Sequence, residues 1–143
     1  MVSRADIVAE ARAWIGTPFQ HQAHSKGVAA DCAGVVRGVP QALGLYPGVE
    51  IAAYLRQPDA KRMRAEMLRH MDPVPFGEVL PGDVLHFRID IEPQHLAIVT
   101  QLAPLLAVHA TSRPRIMRTI EFRVDARWLR LLAGCWRYRG LSE

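Results

Sequence analysis

Asp31-Cys32-Ala33-Gly34, opening the apolar run Val35-Val36-Arg37-Gly38-Val39, is the stretch on which the fold turns. Asp31 is an N-cap type of residue, so the spacing predicts a helix with Cys32 in its first turn. There the N–H groups without an intrahelical acceptor, together with the positive end of the helix dipole, favour a thiolate over a thiol. The thiolate is the nucleophilic form, and a helix start can draw a thiol pKa well below its ordinary ~8.5. Pro40 falls where a third turn would run, which predicts a kink or an end near Val39.

Upstream, Ser3 can cap a helix whose Asp6 returns a carboxylate to the first turn. Ile7, Ala11, Trp14 and Ile15 mark one face of that helix, and Gly16 and Pro18 end it. Residues 17–30 read as an irregular loop leading to Cys32. Downstream, Leu43 to Gly48 is rich in turn residues, and Pro58 and Asp59 start another helix. Met63, Met67 and Met71 recur at four-residue spacing, as a core stripe does. Pro81-Gly82 turns the chain into a strand with Val84, His86 and Arg88 on one face and Leu85, Phe87 and Ile89 on the other. Strands are expected at about 95–102, 105–110 and 115–123, with Gln101 to Pro104 as a hairpin connection. A short helix at 125–132 and a strand at 135–139 close the chain. Helices first and an antiparallel sheet afterwards predict an α+β domain spanning residues 1–143.

A cysteine nucleophile needs a base. His95, in Gln94-His95-Leu96-Ala97-Ile98-Val99, opens a predicted strand, and His109 follows in Val108-His109-Ala110. On its strand His95 shares a face with the slim Ala97 and Val99, which leaves room for a helix end carrying Cys32. An imidazole bonded to the sulfur can hold a thiolate–imidazolium pair and later protonate a leaving amine. His109, across the hairpin, can orient that ring through its other nitrogen, although this third position needs only a polar residue. Read alone, Cys32 is a buried thiol and His95 a histidine satisfied at a strand end. His86 takes a structural or rim role.

Six blocks in order carry a resemblance: Trp14-Ile15-Gly16-Thr17-Pro18-Phe19, His21-Gln22-Ala23 with Lys26-Gly27, Asp31-Cys32-Ala33-Gly34, Leu80 to Phe87, His95 to Val99 and Val108-His109-Ala110. The sequence resembles the NlpC-type cell-wall cysteine peptidases of the papain-like superfamily, more closely the branch carried by tailed phages and gene transfer agents. The resemblance implies Cys32, His95 and His109 as the catalytic set. It also implies hydrolysis of the peptidoglycan stem peptide, typically at the γ-D-glutamyl link to diaminopimelate. Asp31 matches a family aspartate that can pair with the substrate's free amine, and is otherwise a plain helix cap. Many members have Ser where this chain has Ala33, and Tyr where it has Phe19; His21 is the neighbouring polar group. Both differences bear on substrate choice and rate.

Composition sets further bounds. The chain has 143 residues, half of them hydrophobic, and a formal charge of +4. Only Lys26 and Lys61 are lysines, and the arginines are scattered rather than blocked, so no direct contact with nucleic acid is expected. Cys32 and Cys135 do not make a disulfide framework, and both are expected reduced. His21 and His24 form a pair in a loop with no acidic residue beside them, so no metal or other cofactor is expected. Arg4, Asp6, Glu10 and Arg12 interrupt any apolar signal region, and no run approaches a membrane span. A cell-wall enzyme without an export signal fits delivery on a virus-like tail, docked on a tip or hub protein and acting in the host periplasm. The contrasting expectation is a structural tail-tip component with a vestigial site.

Overall fold

Ser3 opens α1 (Arg4–Ala13) through the reciprocal cap read from the sequence: Ser3 Oγ accepts from the Asp6 N–H and Asp6 Oδ2 accepts from the Ser3 N–H. The Ser3 backbone N–H and then its hydroxyl hold the Asp6 carboxyl below the usual carboxylate range. Ile7, Ala11 and Trp14 are buried, but Ile15 lies beyond the helix end and is exposed. The computed structural model describes residues 1–46, 60–89 and 95–142. The expected turn at Pro47-Gly48 and the helix start at Pro58-Asp59 lie outside these residues.

Between α1 and the cysteine, the expected irregular loop contains a small ribbon of β1 (His24–Ser25) against β2 (Ala29–Ala30). Then come α2 (Cys32–Ala42), α3 (Ala60–His70), β3 (Met71–Pro73), a 3₁₀ turn at Phe76–Glu78, β4 (Val84–Phe87), β5 (His95–Gln101), β6 (Leu106–Thr111), β7 (Arg118–Arg123), α4 (Ala126–Leu129) and β8 (Leu132–Tyr138). Strands β3 to β8 form one antiparallel sheet in the order β3-β8-β4-β5-β6-β7. This is the expected α+β architecture. Met71 belongs to β3 rather than to a continuing helix, and it is buried beside Met67.

Each face of the sheet has its own apolar layer. Val84, Leu96, Ile98, Val108, Ala110, Trp136 and Tyr138 meet Ile7, Ala11 and Trp14 of α1 and its cap, and Val35, Val36 and Val39 of α2. On the other face Leu85, Phe87, Ala97, Val99, Ala107 and Cys135 meet Val124 and the partly buried Trp128 and Leu129 of α4. Asp83, fully buried before β4, accepts from Arg4 Nη1 at 3.0 Å and from Arg137 Nε and Nη2 at 3.0 and 2.9 Å. It thereby clamps α1 and β8 to the turn that begins β4.

Two glycines fix the seating of α2. A Cβ on Gly34 would lie 2.1 Å from the Ala23 carbonyl oxygen, a backbone atom, and one on Gly38 would lie 2.4 Å from the Trp14 ring. Only glycine lets α2 approach the preceding loop and α1 this closely.

Pro40 does not end α2 near Val39; the helix runs on to Ala42. Proline lacks the N–H that would bond Val36 four residues back. The Tyr138 hydroxyl of β8 donates to the Val36 carbonyl in its place, so the sheet completes the helix. Tyr138→Phe is therefore expected to cost about 1–3 kcal/mol by leaving a buried carbonyl unsatisfied. In a Pro40→Ala background the restored N–H serves that carbonyl, and the Tyr138→Phe cost should fall by about 1 kcal/mol in a denaturant double-mutant cycle. Equal costs in both backgrounds would show that the hydroxyl does not replace the missing donor.

Candidate active site

The start of α2 is set by one buried carboxylate. Asp31 Oδ1 accepts the Gly34 N–H at 2.8 Å, closing the helix cap, and Asp31 Oδ2 accepts the Gln22 N–H at 2.8 Å. Gln22 adopts φ 65°, an uncommon conformation for a residue with a side chain, and there its amide meets the carboxylate. The Asp31 N–H donates to the Ala23 carbonyl at 3.1 Å, the same carbonyl that excludes a side chain at position 34. A cap of this kind contributes roughly 0.5–2 kcal/mol and fixes where the first turn lies.

Four candidate residues gather there. Cys32 is the first residue of α2, is half-buried, and packs against the helix-side core, as does Phe19. His21 is exposed, with Nδ1 3.9 Å from Asp31 Oδ2. The loop carrying Phe19 is anchored to the edge strand: the Phe19 N–H donates to Met117 O, Gly16 N–H to Thr119 O, and Thr119 N–H to Thr17 O, all at 2.9 Å. Lys26 pairs with Glu10 of α1 at 2.8 Å, and the Gly27 N–H donates to Thr17 Oγ1 at 3.0 Å.

The two histidines stand on adjacent strands and meet. His95 Nε2 lies 2.6 Å from His109 Nδ1, and both rings are buried. His109 stacks on Phe122 with centroids 3.9 Å apart, while Trp128 sits edge-on to His109 at 5.5 Å and tilted over His95 at 5.8 Å. Phe122 and Trp128 were not singled out by the sequence, because nothing local to either places it against a histidine. Burial first, then the charges of His95 and Arg113, push the His109 pKa down to about 2. A neutral His109 with its proton on Nε2 offers Nδ1 as an acceptor, which fixes the N–H of His95 on Nε2 and turns Nδ1 of His95 away from the pair.

His95 does share a face with Ala97 and Val99, as expected. Ala97 and Val99 belong to the apolar layer with Leu85, Phe87, Ala107 and Val124. Helix α2 lies across the opposite face, where Leu96, Ile98, Val108 and Ala110 match its valines. Phe19, His21, Asp31 and Cys32 lie at the start of α2, and His95 and His109 lie on β5 and β6, the strands on which α2 packs. His86 lies on the helix-side face opposite Leu96, away from this histidine pair. Among the described residues, no three His, Cys, Asp or Glu side chains gather as a metal site.

No protein-family profile and no curated protein matches the chain. Solved structures do. NlpC1 from Trichomonas vaginalis superposes with a TM-score of 0.68 at 14% identity, covering 94% of this chain and 44% of that one. The NlpC/p60 domain of the peptidoglycan hydrolase SagA gives 0.63 at 21% identity, with 94% and 97% covered. A lipoprotein-like NLP/P60 family protein from Staphylococcus aureus subsp. aureus Mu50 gives 0.61 at 18%, with 94% and 41% covered. The chain spans under half the length of the Trichomonas and Staphylococcus structures, and nearly all of the SagA domain is covered. At these identities the likeness is one of fold: the chain has the fold of NlpC/P60 domains.

The depressed His109 pKa has a consequence for stability. An unfolded chain binds a proton there near pH 6.5, whereas the folded protein does so only near about 2. Below pH 6.5 the unfolded state therefore holds more protons, and stability falls as pH falls, by up to about 1.4 kcal/mol per pH unit. Denaturant unfolding between pH 6 and pH 4 should show a steeper loss for wild type than for His109→Gln. Parallel slopes would mean that His109 takes a proton in the folded state as readily as in the unfolded one.

Proposed function

We propose that this chain is a cysteine endopeptidase acting on peptidoglycan stem peptides, with Cys32 as nucleophile, His95 as base and then acid, and His109 as the group that orients His95. The observation that carries this reading is the 2.6 Å contact between the two buried histidines. It occurs in a fold whose neighbours include a peptidoglycan hydrolase domain, with Cys32 at a capped helix start.

In this reading Nδ1 of His95 takes the Cys32 proton, and the charge that results is shared with His109 through Nε2–H. The thiolate adds to the scissile carbonyl carbon, and the oxygen, now negative, is met by the Cys32 N–H at the helix start. The C–N bond breaks as His95 returns its proton to the leaving amine. Water then adds to the thioester, His95 accepts its proton, and the acid product and free thiolate are released. Asp31 braces the cysteine's helix and lies where the free amine of the acyl half would approach, with His21 beside it. Phe19 contributes no hydroxyl to the oxyanion.

The bond is proposed to be the γ-D-glutamyl–diaminopimelate link, and the setting a phage or gene transfer agent tail, docked on a tip or hub protein. Both follow from the sequence resemblance. The alternative, a structural tail-tip piece, is separated by particles bearing Cys32→Ala. An enzyme predicts normal assembly, poor DNA delivery into intact cells, and recovery after lysozyme thinning of the wall. A structural piece predicts delivery equal to wild type.

Mass spectrometry of digested muropeptides tests the chemistry. Wild type should release fragments with a new diaminopimelate amine, and Cys32→Ala none. His95→Ala should lose roughly 10²–10⁴-fold in rate, the usual worth of a positioned acid–base group. His109→Ala should lose less, because water can partly replace an orienting group. Retention of His95→Ala activity within a few-fold of wild type would remove the base assignment.

A further inference from the structure

A cavity of about 760 Å³ opens beside the histidine pair, on the face of the sheet away from α2. That volume is in the range of small-ligand sites, ~300–1,000 Å³. His95 and His109 line it together with the apolar Ile120, Phe122 and Trp128. Three exposed arginines line it as well: Arg113 from the β6–β7 turn, Arg123 at the end of β7, and Arg127 from α4. Among the described residues none of the three forms an ion pair. The acidic residue on the lining, Asp125, already accepts the N–H groups of Arg127 and Trp128 as the cap of α4. Among the described residues, three guanidiniums and one carboxylate, whose Oδ1 caps α4, line the cavity. Guanidinium forks match carboxylates, and in a partly enclosed cavity such contacts gain strength over those in open water.

The turn that carries Arg113 is firmly shaped. Ile116 and Met117 N–H groups both donate to Arg113 O, and Arg115 and Met117 take φ 73° and 47°. Met117 O in turn holds the loop of Phe19. One arginine of the cavity is thus positioned by the same turn that anchors the approach to Cys32.

We infer that this cavity is the subsite for the leaving, amine-side segment of the substrate, and that Arg113, Arg123 and Arg127 select a segment bearing free carboxylates. The inference rests on the proposed role of His95. The group that protonates the leaving nitrogen must stand beside the leaving segment, and His95 stands at this cavity. The acyl half, with its free amine, is left to the opposite side, where Asp31 and His21 are. The substrate then lies with its cationic end toward the aspartate and its anionic end among the arginines.

Two measurements test it separately from turnover. In calorimetry with Cys32→Ala, the dipeptide of diaminopimelate and alanine should bind at least ten-fold more tightly than its fully amidated form. Arg113→Gln combined with Arg127→Gln should abolish that difference; both side chains are exposed and without ion pairs, so the variant should unfold at the wild-type temperature. In turnover, the ratio of kcat/KM for carboxylate over amide leaving segments should fall from ten-fold or more toward one in the same variant. Binding that is retained without cleavage would sink the peptidase reading and keep the subsite. Equal affinity for acid and amide, or a difference untouched by the arginine changes, would overturn the subsite even in an active enzyme. Competition by polyglycerol phosphate as strong as by the dipeptide would make the cavity a polyanion site and overturn it too.

Discussion

The Asp31 carboxylate is the contact on which the arrangement depends. It is buried and accepts one amide from the loop before it and one from the first turn of the helix after it. Charge-assisted bonds of this kind are stronger than neutral ones, and their two directions fix both the start and the azimuth of α2. The rest of the helix is held from other sides. Gly38 admits the Trp14 ring, and Tyr138 reaches from the sheet to Val36 where Pro40 has removed a donor. With its front, flank and rear fixed, α2 has little freedom over β5 and β6. The position of Cys32 is therefore a property of the packed domain.

Across the sheet the histidine pair solves a different problem. A buried imidazole that gained a proton would need a compensating charge, and His109 has aromatic neighbours instead. Burial keeps it neutral down to a pH of about 2, so it can serve as an acceptor for His95. Phe122 and Trp128 pack against the pair and form a wall of the arginine-lined cavity. Packing and proton chemistry are the same contacts seen twice.

Much of this was legible in the chain itself. The Ser3–Asp6 cap, the Asp31 cap, the face alternation of β4 and the hairpin from β5 to β6 follow from local rules that the tertiary structure did not override. Pro40 does not end α2, and the donor that compensates for it comes from Tyr138, near the other end of the chain, so no window on α2 contains it. Strand β3 was missed because its residues, Met71-Asp72-Pro73, have no alternation and pair only with β8. The face of His95 follows from the alternation of β5, which puts it with Ala97 and Val99. The cavity was invisible in the sequence, since Arg113, Arg123 and Arg127 look like scattered surface charges until the β6–β7 turn and α4 bring them to one place.

The pairing of Cys32 with His95 is the claim from which the chemistry follows, and thiolate formation reads it directly. Cys135 is a built-in reference, its pKa pushed up to about 11 by burial and the charge of Asp83. The measurement is the pH dependence of iodoacetamide alkylation at each cysteine, resolved by mass spectrometry, in wild type and in His95→Gln. A Cys32 midpoint well below the ordinary ~8.5, returning toward that value in His95→Gln, is the expected result. A Cys32 midpoint at or above ~8.5, unchanged by His95→Gln, would contradict it.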